Sequence, residues 1–151
     1  MALMALVSAV WRPLVTEIVR ERLDAGEATW LPVRGRSMRP LLASGSRILV
    51  APAARVRFGD LLAYECEGTV VCHRMIGRRG AHLMTRADHR GAGPEHVRPA
   101  QILGVVTALE RDGTVVDLTR PARRAQAAVK AALSLGAAVL ASARRRAWRR
   151  A

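Results

Sequence analysis

A mainly β domain with a helix at each end is the fold class this sequence predicts, and three observations predict it. Between residues 30 and 118, short apolar runs are separated by Gly, Pro and Asp, the punctuation of strands and tight turns. The flanking segments, before residue 30 and after Pro121, carry longer runs with helical spacing. Aromatic residues make up 3% of a chain that is 50% hydrophobic, so Val, Leu, Ile, Ala and Met must fill a modest core in 151 residues. Short strands joined by turns suggest a small coiled sheet or partly closed β-barrel. The expected division is 1–29 for an N-terminal helix and linker, 30–118 for the β domain, and 119–151 for a basic helical tail.

The first helix is expected over residues 4–25. Val15, Ile18, Val19 and Leu23 form its apolar stripe, Glu17, Glu21 and Asp24 face water, Pro13 sits early, and Gly26 supplies a stop. The opening "MALMALVSAVW" is apolar, but it lacks a basic lead and is too short to span a bilayer. "TWLPVRG" reads as a strand leading into a turn at Ser37, and "SRILVAPA" as the next strand. "DLLAYECEGTVVCHRMIG" reads as a hairpin turning at Glu67-Gly68, and "ILGVVTALERDGTVVDL" as another turning at Asp112-Gly113. "AHLMTRAD" is a strand between them, and residues 89–99, "HRGAGPEHVRP", read as a polar loop. After Pro121 comes an Ala-rich helix whose uncharged run, 131–143, is 13 residues long, at the short limit for a span even when extended back to Ala125. A helix lying in the interface, with arginines and Trp148 snorkelling, fits at least as well, and a helix packed on the domain is the third option.

The net charge of +13 is unevenly distributed. Residues 119–151 hold nine basic side chains and no acid, whereas the first 118 residues hold 16 basic against 12 acidic. The high charge is therefore a property of the tail, which suits an anionic membrane surface or a solvated end; nucleic acid is the less favoured partner. Two cysteines, Cys66 and Cys72, are too few for a disulfide framework and have no zinc-like spacing, so no metal or cofactor is expected.

The stretch "RGRSMRPLL", residues 34–42, sets one serine in an unusual context. Gly35 permits close backbone approach, Pro40 fixes a φ angle, and Met38, Leu41 and Leu42 offer an apolar floor for a substrate side chain. A serine at such a turn more often satisfies backbone groups, but Ser37 is also placed as a nucleophile would be. A serine nucleophile needs a base. The only lysine, Lys130, lies in the tail, and arginine is not deprotonated in proteins, which leaves His73, His82, His89 and His96. His73 alternates with Val71 and Met75 on a strand, whereas the other three fall in turns or loops. Asp88 can orient the far ring nitrogen of such a histidine, with Glu95 the weaker second acid.

In sequence order, "GRSMRPLLASGSRILV", "RVRFGDLLAYECEGTVVCHRMIG", "LMTRADHRG" and "ILGVV" resemble the successive motifs of the signal peptidase I and LexA-like serine peptidases, over roughly residues 31–118. The His-Arg pair at 73–74 is similar to the Ser–His branch found in the endoplasmic reticulum, in archaea and in SipW-type enzymes. The resemblance implies Ser37 as nucleophile and oxyanion donor through its N–H, His73 as general base, and Asp88 as the assisting acid. It implies a groove formed by Gly35, Ser37, Met38 and Leu42, a structural turn at Gly59-Asp60, and no cofactor or metal. Ala87 stands where that branch's acidic box has glycine. The expected function is a serine endopeptidase acting on a peptide or protein precursor, membrane-associated through the C-terminal helix, with a cytoplasmic location as the alternative. A catalytically silent binding module of the same fold, with its basic tail on membrane or nucleic acid, is the other expectation.

Overall fold

The computed structural model describes residues 2–89 and 93–148. Arg149 and Arg150 of the basic tail, residues 90–92 of the expected loop, and the Trp148 side chain lie outside the described residues. The chain forms helix α1 (Ala2–Asp24), strands β1 (Thr29–Pro32), β2 (Arg47–Pro52), β3 (Leu61–Cys66), β4 (Thr69–Arg79), β5 (His82–Arg86), β6 (Glu95–Val97), β7 (Ile102–Arg111) and β8 (Thr114–Asp117), and helix α2 (Pro121–Trp148). The strands form one antiparallel sheet in the order β1-β2-β7-β3-β4-β5-β6, with β8 on β7. Among the described residues the end strands β1 and β6 do not pair, so the sheet is not closed, and the mainly β fold with a helix at each end is as the sequence predicts.

Both hairpins turn where the sequence predicts. Glu67 and Gly68 have φ of 50° and 69°, and Asp112 and Gly113 have 51° and 74°, the doubly positive pattern that matches the twist of paired strands. The first turn sets the register of β3 on β4, from Cys66 opposite Thr69 to Leu61 opposite Arg74. Because side chains alternate, Leu61 and Ala63 share a face with Cys72 and Arg74, and Leu62 and Tyr64 share the other with Val71 and His73. Each face has its own core. Val19 and Leu23 of α1 join Met38, Leu42, Ile48, Leu61 and Ala63 on the first. Leu62, Tyr64, Met75, Leu83 and Val97 form the second.

Two expectations are corrected. Of the predicted α1 stripe, Val19 and Leu23 are buried, but Val15 and Ile18 are each 48% exposed. Polar contacts rotate the helix: Thr16 Oγ1 donates to the carbonyl of Gly68 at 3.1 Å, and Arg20 pairs with Glu65 at 2.7 Å. The buried line is therefore Thr16, Val19 and Leu23. The segment read as a polar loop contains the edge strand β6, anchored by Val97 in the second core. With three residues and one buried side chain, β6 is too short to show a period.

Among the described residues, helix α2 buries only small ones, Ala131 and Ala138, and exposes Val129, Leu133, Val139 and Leu140. Its close approach requires glycine at position 59, where a Cβ would lie 2.9 Å from the backbone of Ala127 and Ala128. Arg124 pairs with Asp60 at 3.1 Å, Lys130 Nζ lies 3.7 Å from Asp88, and Arg86 donates to the carbonyl of Ser134 at 2.7 Å. Within Pro121–Arg146, an 18-residue stretch with a mean hydropathy of 1.4 makes the helix long and apolar enough to cross a membrane.

Candidate active site

Ser37 occupies the second position of a turn closed by the Arg39 N–H donating to the Arg36 carbonyl at 3.2 Å. Met38 follows it inward, 3% exposed, and its Sδ accepts the Asp88 N–H at 3.3 Å. The Leu42 N–H then donates to the Met38 carbonyl at 2.9 Å, and the Leu42 side chain is 1% exposed. Met38 and Leu42 thus plug the turn into the core and hold Ser37 at the surface. Its carbonyl accepts the His89 N–H at 2.9 Å. Among the described residues, neither the hydroxyl nor the N–H of Ser37 has a partner, which leaves one nucleophilic oxygen and one oxyanion donor free on the same residue.

Ser37 lines a groove of about 780 Å³ between α1 and the sheet. Gly35, Met38 and Leu42 line it too, with Trp11 and Val15 from α1, Leu31 and Val33 from the β1 segment, and Val70 and Cys72 from β4. The walls are mostly apolar, with Arg12, Thr16, Arg34 and Thr69 also lining the groove. Cys72 is not a rival nucleophile, because burial pushes its thiol up to about 12 and leaves almost no thiolate at neutral pH. Cys66 lies on the opposite face of the hairpin, and both thiols are free.

His73 is 7% exposed and belongs to the second face. Its Nδ1 lies 2.9 Å from the Tyr64 hydroxyl, which in turn donates to Glu95 at 2.5 Å. Burial and the Glu95 carboxylate raise the Tyr64 pKa, so the phenol keeps its proton, and that proton is directed at Glu95. The tautomer assigned by this chain has Nδ1–H donating to Tyr64 and the Nε2 lone pair free. Burial holds the His73 pKa below the usual histidine range against the opposing pull of Glu95 and Asp88, which favours the neutral, basic ring at pH 7.

Asp88 does not contact His73. Both its oxygens take Arg74, at 2.8 and 2.7 Å, and the same guanidinium donates to the Gly59 carbonyl at 2.9 Å. With side chains 1% and 5% exposed, this is a buried bidentate pair that ties the Ser37 turn, β4 and α2 together. Ser37 shares its groove with Gly35, Met38 and Leu42, and His73 is bonded to Tyr64, which is bonded to Glu95; Val71, on His73's face of the hairpin, also lines the Ser37 groove. His73 does not line the Ser37 groove, and among the described residues no hydrogen bond joins the two. Sequence reasoning missed Tyr64. A two-residue turn at Glu67-Gly68 pairs Tyr64 with Val71, diagonal to His73 on one face, so the hairpin register carried the signal. It also set aside Lys130, which α2 returns to Asp88.

The antiparallel sheet carries a serine on a plugged turn beside an apolar groove. The chain belongs to the Peptidase S24-like family, which matches residues 12–107, from α1 into β7 and across Ser37, His73 and Asp88, and this match supports a serine peptidase fold. No curated protein matches the chain.

Proposed function

We propose that this protein is a serine endopeptidase of signal-peptidase type that hydrolyses a peptide bond in a secreted or leader-bearing precursor. The observation that carries the reading is the Ser37 turn, whose free hydroxyl and N–H face an apolar groove inside the matched region. A substrate strand lies along Val33 and Val70 with a small side chain against Met38 and Leu42. Ser37 Oγ attacks the scissile carbonyl while the Ser37 N–H donates to the oxyanion. His73 Nε2 takes the hydroxyl proton and passes it to the leaving amine; water then resolves the acyl-enzyme by the reverse relay. Glu95, through Tyr64, holds the base in its tautomer, and Asp88, through Arg74, holds the turn. The reading requires Ser37 Oγ and His73 Nε2 to come within hydrogen-bonding distance when substrate binds. In the same reading, α2 and the arginine tail hold the enzyme at an anionic membrane surface.

One observation favours a second reading. His73 and Asp88 are both engaged away from Ser37 Oγ, by Tyr64 and Arg74 respectively. A chain that keeps those contacts uses the groove to bind a peptide segment without cutting it. Cleavage of a panel of precursor peptides in anionic vesicles separates the two. The peptidase reading expects turnover by wild type that is lost in both Ser37→Ala and His73→Ala. Saturable peptide binding that all three proteins share, with no turnover, supports the binding module.

A further inference from the structure

A second cavity lies on the other side of the Ser37 turn, under the first turns of α2, and occupies about 1020 Å³. Its floor is aliphatic, formed by Leu61, Val106 and Leu109, with Val116 and Leu118 at the side. Its rim is cationic: Arg55, Arg57, Arg111 and Arg123 all line it. Asp60 is the one acid among the lining residues, and it is already paired with Arg124. Arg111 turns one end of its guanidinium to the carbonyls of Pro40 and Leu41, at 3.1 and 2.8 Å, and its Nε is buried with no acceptor. The first turn of α2 holds no acid, so its free N–H groups add to the positive potential. Exposed arginines above an aliphatic floor suit a ligand with an acceptor at the rim and something apolar beneath it. An inorganic anion would satisfy the rim and leave the floor wet. Phe58 is the one aromatic side chain at the wall and is 41% exposed, so no enclosed ring is present to stack a base or sugar.

We propose that this cavity binds a single-chain anionic amphiphile, its acyl chain on Leu61, Val106 and Leu109 and its carboxylate or phosphate on the arginine rim. The inference does not depend on whether Ser37 is catalytic. The test uses the full chain, titrated calorimetrically with a sixteen-carbon lysophosphatidic acid below its aggregation concentration. A lysophosphatidylcholine of the same chain, palmitate and inorganic phosphate serve as comparisons. Saturable one-to-one binding of lysophosphatidic acid and palmitate is expected, weaker by about tenfold or more for lysophosphatidylcholine and absent for phosphate. Val116→Trp, which fills the cavity from an edge strand, and the exposed double variant Arg55→Gln/Arg57→Gln are each expected to weaken binding by about tenfold. Leu133→Gln/Leu140→Gln, on the outer face of α2, leaves it unchanged. Non-saturable uptake, equal affinity for the zwitterionic lipid, tight binding of bare phosphate, or loss only in the outer-face variant overturns the proposal.

Discussion

At residue 73 a buried imidazole is held by a phenol that cannot give up its own proton to it. Tyr64 donates to Glu95, so His73 must donate through Nδ1, and the ring is fixed as a neutral base. Removing the hydroxyl in Tyr64→Phe leaves Nδ1 only its longer contact with Glu95 Oε2, at 3.5 Å, and stability in urea should fall by about 1–3 kcal/mol. The lowered His73 pKa also has a stability consequence. Above the unfolded histidine value of 6.5, both states are neutral and the site contributes nothing to the slope. As pH falls below it, the unfolded chain binds a proton first, so unfolding becomes easier until the folded pKa is reached. Urea midpoints measured across that window should drop with falling pH in wild type and drop less in His73→Phe. Part of this local structure was legible in the chain: the sequence places a turn at Ser37, but it reads Met38 and Leu42 as a floor for substrate, whereas both are core residues, 3% and 1% exposed. Asp88 was not legible, because a carboxylate's partner is decided by reach in three dimensions. Arg74, one residue beyond His73 and on the opposite face, captures it with two bonds.

Among the elements, the hairpins were readable because Glu67-Gly68 and Asp112-Gly113 each carry a complete local signal. The orientation of α1 was not, because four apolar residues competed for one face and Thr16 and Arg20 decided it through bonds to distant strands. The contact between α2 and the sheet depends on Gly59 and on the Arg74–Asp88 pair. Gly59 has φ +89° as well as no room for a Cβ, so Gly59→Ala should cost about 1–3 kcal/mol and raise hydrogen exchange across residues 124–131. Asp88→Asn leaves a buried guanidinium without its counter-charge, with an expected loss of about 3–5 kcal/mol by chemical denaturation. Both effects should be seen whether or not the protein is an enzyme.

For the whole molecule, the charge and the outer face of α2 point the same way. Of the net charge of +13, nine basic residues and no acid lie in residues 119–151, whose helix exposes Val129, Leu133, Val139 and Leu140. The helix that composition left between spanning, lying on a bilayer and packing on the domain does pack, through Ala131 and Ala138, while its other side stays apolar and open. Neutralising Arg144, Arg145 and Arg146 to Gln should weaken binding to anionic vesicles by roughly 100-fold, at about 1 kcal/mol per arginine, and leave zwitterionic vesicles unaffected. Vesicle co-sedimentation at two salt concentrations checks both halves.

The central claim is that Ser37 is a nucleophile, and covalent labelling tests it most directly. Wild type, Ser37→Ala and His73→Ala are incubated with a serine-reactive acylating probe in vesicles, with and without a precursor peptide, and the adduct is mapped by peptide mass spectrometry. The account predicts an adduct on Ser37 in wild type, faster with peptide present, absent in Ser37→Ala and slower by orders of magnitude in His73→Ala. No adduct on Ser37 under any of these conditions, or labelling that His73→Ala leaves untouched, would contradict it.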